Sequence, residues 1–301
     1  MAEPASEPEK PPRRKTAWYW RVLRLIGLVY VVVLIFLYFG QTFLIFPGSS
    51  TQGKRVFAPA AGTELVQLRT SSGESIAALF GSVLQADGKP HPDAARRPTL
   101  LFFYGNAMCL SEARFQLDEF RRMGTNVLIP EYAGYGMSGG KPSESGCYET
   151  ADAAHAHLLS RGDIDPKKII VSGWSLGGAV AIDLASRKST SGLAVFSTFS
   201  SMADMGSSTY PFLPTFMISA ILKHRFEGAR KIASVTCPVL IGHSRGDRMI
   251  PFVMADRLAA SAKVPVKRIS IDTPDHTEFF SDGGDAVTEG IKAFIDEIDK
   301  R

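Results

Sequence analysis

Residues 171–181, VSGWSLGGAVA, constrain the fold more than any other part of the chain. The branched apolar run Ile169-Ile170-Val171 leading into them reads as a buried strand, and the small residues from Gly177 onward read as the start of a helix. Between the two stands Gly173-Trp174-Ser175-Leu176-Gly177, a Gly-Xaa-Ser-Xaa-Gly pattern. A strand that bends this sharply into a helix leaves no space for side chains at the bend, which accounts for the glycines. A plain tight turn would use the same glycines but has no need of a hydroxyl at its apex. A serine held on such a turn is presented as a nucleophile, and the helix behind it offers partial positive charge and the amide of Leu176 to an oxyanion.

The rest of the chain supplies a frame for that junction. Hydrophobic patterning predicts strands at residues 64–69, 75–84, 99–104, 126–130, 169–174, 193–197, 239–243 and 267–271. It predicts helices at 111–123, 148–160, 176–187, 254–262 and 285–299. The first two strands pair through a turn at Ser71-Ser72-Gly73, after which strand and helix alternate. Alternation of this kind predicts a mostly parallel sheet covered by helices on both faces. Continuous apolar runs such as TLLFFY and PVLIGH fit strands buried on both sides. Residues 198–236 break the rhythm with an apolar, proline-containing insertion. Two readings stand for it: a cap over a site, or an ordinary crossover packed on the sheet.

A serine hydroxyl is a weak nucleophile without a base. In a fold of this type the partners follow in the order Ser, acid, His, each in a loop after a strand. The loop VLIGHSRGDRMIP supplies Asp247, and DTPDHTEFF supplies His276. Asp275 is a rival acid, but its adjacency to His276 leaves it poorly placed to orient that ring. All three side chains project from the carboxyl edge of the sheet, where open α/β folds bind ligands. The turn FFYGNAM, after the third strand, offers a second oxyanion donor at the amide of Asn106 or Ala107.

Other signals exclude classes of function. GYGMSG, residues 134–139, matches a dinucleotide fingerprint in spacing, but Gly140-Lys141-Pro142 follows where a helix should open, so it reads as a loop. The histidines are scattered, and His155 and His157, two apart, point away from each other on a helix, so no metal site is expected. Cys109, Cys147 and Cys237 show neither disulfide nor zinc spacing. No cofactor is implied. Residues 1–24 carry a net charge of +3 out of +4 for the chain, leaving a nearly neutral body with no electrostatic case for nucleic acid.

The front end reads as a basic, disordered tail over residues 1–24, then a transmembrane signal anchor over 25–46, then a catalytic domain over 50–301. The 22 residues of 25–46 carry no charge, and about 20 apolar residues suffice to cross a bilayer as a helix. Trp18, Tyr19 and Trp20, with Arg21 and Arg24, form an interfacial anchor before it. A cleaved signal peptide has a shorter apolar core and a small-residue cleavage site that FLIFPGSS lacks. The basic excess before the span predicts a cytoplasmic N-terminus and an extracytoplasmic catalytic domain, although Lys54 and Arg55 count the other way.

With these residues in view, the chain resembles the α/β-hydrolase superfamily, and more narrowly the Bem46-like membrane-anchored serine hydrolases. FFYGNA (102–107), PEYAGYGMSGGKPSE (130–144), GWSLGG (173–178), YPFLP (210–214), GDRMIPF (246–252) and DHTEFF (275–280) carry the likeness, as does the N-terminal span ending in FLIFPG. The resemblance implies the α/β-hydrolase fold after one transmembrane helix. It implies Ser175 as nucleophile, Asp247 as acid and His276 as base. The resemblance says little of the substrate; the triad, the apolar residues 209–226 and the anchor point to a small acyl ester, thioester or lipid-like molecule, with a serine peptidase or a non-catalytic membrane-anchored interaction module as the alternatives. The chain departs from the family pattern at Tyr104, where His is usual, at Glu131, where Asp is usual, and at Ala133, where Arg is usual. By this reading Tyr104 supports the oxyanion loop through a hydrogen bond.

Overall fold

The computed structural model describes residues 16–54, 62–272, 275–280 and 283–301. The first element is a helix, α1, Thr16–Ile45. It begins inside the segment expected to be disordered, whose remainder, residues 1–15, lies outside the described residues. The prolines of the tail end at Pro12, and nothing from Thr16 to Leu25 interrupts a helix. Trp18–Ile45 contains an 18-residue window with a mean hydropathy of 2.6 and is long and apolar enough to cross a membrane. The chain divides after Gln41 into two compact units, the larger of them Thr42–Arg301.

The larger unit is built on one eight-stranded sheet in the order β1-β2-β4-β3-β5-β6-β7-β8. The strands are β1 (Thr63–Arg69), β2 (Ser75–Gly81), β3 (Thr99–Phe103), β4 (Asn126–Pro130), β5 (Ile169–Trp174), β6 (Gly192–Phe196), β7 (Val239–Ser244) and β8 (Val266–Ile271). β1 and β2 form an antiparallel hairpin that turns at Gly73 (φ 89°), and β2 is also antiparallel to β4; every other neighbouring pair is parallel. Every residue of β3, β4, β6 and β7 is buried, as their unbroken apolar sequences require.

Helices fill the connections: α2 (Leu110–Arg122), α3 (Glu144–Ser160), α4 (Leu176–Arg187), α5 (Met202–Thr209), α6 (Thr215–Ile221), α7 (Gly228–Ile232), α8 (Val253–Ser261) and α9 (Gly284–Asp299). Two boundaries differ from the sequence expectation for visible reasons. β2 stops at Gly81 instead of 84 because the buried Arg121 lies against Gly81 and draws the Ser82 carbonyl onto its Nε at 2.7 Å. α3 starts at Glu144 instead of 148 because the Ser143 hydroxyl caps it, accepting from the Gly146 amide at 3.0 Å.

Residues 198–236 form three short helices, α5, α6 and α7. α7 packs against α4 and α8 as a crossover helix does, whereas α5 and α6 pack on each other, with Gly206 fitted against Ile218. Phe212 and Phe216 stay exposed on this hairpin. Cys109, Cys147 and Cys237 are free and buried.

Candidate active site

The sheet order reverses between β3 and β5. The chain leaves β3 toward β4 on one side and leaves β5 toward β6 on the other. The loops at the carboxyl ends of these two strands therefore diverge and open a crevice, the usual ligand position in such sheets. The register sets Phe103 beside Gly173, so the Asn106 turn and Ser175 emerge from adjacent strands.

Ser175 has φ 55° and ψ −121°, a backbone that non-glycine residues rarely adopt. Its N–H donates to the Phe196 carbonyl at 2.9 Å, and its own carbonyl accepts from Thr198 Oγ1 at 2.7 Å and from the Gly178 amide at 3.0 Å. Bonds on both sides of the residue hold the strained geometry. The flanking glycines are steric necessities: a Cβ on Gly173 would strike the Gly177 backbone, one on Gly177 would strike the Phe103 carbonyl, and one on Gly178 would come within 2.5 Å of Thr198. α4 begins at Leu176, whose amide is one of the donors that a helix N-terminus leaves without an internal partner.

Asp247 and His276 meet at a distance of 2.7 Å between Oδ2 and Nδ1. The side chain of Asp247 has 0% exposure and that of His276 4%. The other carboxylate oxygen, Oδ1, accepts from the amides of Met249 (2.9 Å) and Ile250 (2.8 Å). His243 closes the environment: its Nε2 lies 2.8 Å from the Ile250 carbonyl and 3.4 Å from Asp247 Oδ2. Burial alone would raise the Asp247 pKa, but hydrogen bonds from His243, His276 and the Ile250 amide outweigh it and hold the carboxyl well below the usual range. The His276 ring stacks on Trp174, the neighbour of Ser175, with centroids 5.1 Å apart. His276 Nε2 is buried and has no hydrogen-bond partner among the described residues, Ser175 Oγ included. The structure thus pairs Asp247 with His276 and brings His276 against the residue before Ser175. Asp275 instead caps its own turn, accepting from the Thr277 amide and hydroxyl.

Gly105 lies flat against the Trp174 ring, where a Cβ would come within 2.6 Å. This sets the start of the Asn106–Ala107 turn against the residue before Ser175. The Tyr104 side chain departs from expectation. Its hydroxyl is buried without a partner among the described residues, and the ring packs edge-on to Tyr132 at 4.9 Å. The hydrogen bond at this position belongs to the backbone, since Tyr132 donates to the Tyr104 carbonyl at 2.7 Å. Glu131 is buried and staples two segments: Oε1 accepts from Leu110 at the start of α2 (2.9 Å), and Oε2 accepts from Met137 (2.5 Å). Residues 134–139 form a loop closed by Gly134 N–H on the Gly139 carbonyl, with Gly136 pressed on the Glu131 carboxylate.

Sequence reasoning passed over His243, Tyr132, Tyr135 and Thr198. His243 alone left a trace, as a polar residue inside the apolar run of β7 four positions before Asp247.

Comparison with known proteins agrees with this architecture. A sequence profile of the alpha/beta hydrolase family matches residues 101–226. The chain is 30% identical over 277 residues to the uncharacterized protein Rv2307c of Mycobacterium tuberculosis, covering 92% of this chain and 94% of that one. It is 30% identical over 235 residues to the human alpha/beta hydrolase domain-containing protein 17B, covering 78% and 75% respectively. Among solved structures, the Pyrococcus furiosus esterase Pf2001 superimposes with a TM-score of 0.62 at 17% identity, over 82% of this chain and 97% of that one. Relatives that span so much of the chain, on a sheet with this order and a serine on this bend, place it in one group: the chain belongs to the α/β-hydrolase family.

Proposed function

We propose that this protein is a membrane-anchored serine hydrolase that cleaves carboxylic esters or thioesters through an acyl-enzyme, of the Bem46-like kind. Ser175 Oγ attacks the acyl carbonyl while His276 Nε2 takes its proton. Asp247 fixes the proton on Nδ1 and stabilises the imidazolium that forms. The Leu176 amide and that of Asn106 or Ala107 receive the negative charge on the tetrahedral oxygen. His276 returns its proton to the leaving alcohol or thiol, then activates the water that releases the acid. The observation that carries the reading is the buried Asp247–His276 pair, whose one remaining ring nitrogen is unpartnered while the ring stacks on Trp174, the residue before Ser175. Catalytic hydrogen bonds are often long in the free enzyme and tighten when substrate binds.

The length and hydropathy of α1 support the anchor. The protein should stay in the membrane after alkaline carbonate washing, and protease protection should report residues 1–15 on the cytoplasmic side. The decisive experiment is labelling of the detergent-solubilised protein with a fluorophosphonate probe, followed by hydrolysis of acyl esters, acyl thioesters and peptides. Labelling that disappears in Ser175→Ala, with turnover of acyl esters or thioesters, supports the proposal. Turnover of peptides alone assigns a peptidase, and a folded protein that takes no label is an interaction module instead.

A further inference from the structure

The turn that carries the second oxyanion donor is held from outside the sheet. The Asn106 carbonyl accepts from the Gly48 amide at 2.9 Å and from the Tyr135 hydroxyl at 3.0 Å. The Asn106 side chain donates from Nδ2 to the Ile45 carbonyl at 3.1 Å. One residue is therefore tied at its main chain and at its side chain, and two of the three ties run to residues 45–48, where α1 has just ended. That segment is itself secured. Thr51 Oγ1 donates to the Gly48 carbonyl at 2.6 Å and accepts from the Gly136 amide at 3.1 Å, and Gly53 N–H donates to the Gly136 carbonyl at 2.6 Å. Gly48 has no space for a side chain, since a Cβ would run into the Tyr135 ring and the Asn106 carbonyl. Burial pushes the Tyr135 hydroxyl up, so it remains a donor at any ordinary pH.

A trans peptide is planar, so fixing the Asn106 carbonyl points the Ala107 N–H the opposite way. Two donors on that carbonyl, with the side chain anchored as well, remove the rotations that would let the turn swing. Donors aimed in advance at developing charge stabilise a transition state without reorganisation. Backbone amides have no side chain that could aim them, so neighbouring groups must do it.

We infer that residues 45–53, with Tyr135, form a strap that positions the oxyanion donor at Asn106–Ala107, which makes the segment after the apolar helix a working part of the active site. The inference rests on the serine hydrolase reading above. Tyr135 and Gly48 are positioning residues, because they act through the Asn106 peptide and not on substrate.

The test uses the full chain in detergent, with turnover normalised to the fraction of Ser175 titrated by the fluorophosphonate. Tyr135→Phe removes one tie and Asn106→Ala another. For Tyr135→Phe, kcat on an acyl ester should fall about ten- to a hundredfold, with KM changed by less than about twofold. Affinity for a trifluoromethyl ketone, which mimics the tetrahedral oxyanion, should fall in step with kcat. Gln85→Ala changes an exposed residue outside the strap that does not touch Asn106, and should keep the parent kcat. Loss of melting temperature with unchanged kcat per titrated site, in both Tyr135→Phe and Asn106→Ala, would overturn the strap while leaving the hydrolase standing. A folded parent protein that takes no label would overturn both.

Discussion

At the scale of single residues, two carboxylates show how burial divides their roles. Glu131 accepts from two backbone amides, those of Leu110 and Met137. Glu131→Ala should destabilise the protein by about 2–5 kcal/mol in denaturant unfolding, since each orphaned buried amide costs about 1–3 kcal/mol. Asp247 is held ionised by its hydrogen bonds, so its folded pKa lies below the unfolded value. A depressed carboxylate contributes stability that is complete above about pH 4 and fades as pH falls through the folded pKa. The stability gap between the parent and Asp247→Asn should therefore be constant from pH 7 down to about pH 4 and shrink below that, as unfolding curves across this range would show. The same substitution should lower kcat by about 10⁴-fold if His276 depends on Asp247 for its tautomer. Ser175, Asp247 and His276 are nominated from sequence by residue type and order, and of these the structure joins Asp247 to His276. Glu131, Tyr132 and Tyr135 are not, because what they do depends on partners on other elements that no local pattern encodes.

Elements explain why the bend tolerates so little change. α4 crosses the end of β3 so closely that Gly177 touches the Phe103 carbonyl, a backbone atom that cannot rotate aside. Gly177→Ala should abolish soluble folded protein, whereas Gly162→Ala, which meets open space, should leave expression and melting temperature unchanged. Circular dichroism melts of both variants would check the contrast. In β3, Leu101 is fully buried between its neighbours, and Leu101→Ala should cost about 2–5 kcal/mol through lost contacts and the cavity left behind. Most strands and helices could be read from the chain because buried strands and amphipathic helices differ in period. The order β4-β3-β5 could not be read as a register, because parallel pairing joins residues far apart in sequence. The division of residues 198–236 into a hairpin and a crossover helix was equally hidden, because both are apolar and only packing separates them.

For the whole molecule, the notable point is where one unit stops and the other starts. The compact body begins at Thr42, and the residues just after it are bonded into the Asn106 turn. His224 adds a further tie, with Nε2 at 3.0 Å from Thr42 Oγ1 and Nδ1 accepting from the Glu144 amide at 3.3 Å. A chain starting at Thr42 should keep kcat within about threefold of the parent, while one starting at Lys54 should lose about ten- to several hundredfold, as expected when an oxyanion donor goes astray. Ester hydrolysis by the two truncated proteins, normalised to titrated serine, measures the difference. The same strap determines what proteolytic shedding would do. On the proposed reading of α1 as an anchor and of the body as a hydrolase, a cut before Thr42 would free a body that carries its strap and stays active. A cut after Gly53 would strand the strap with α1, so that release from the membrane and inactivation would become a single event.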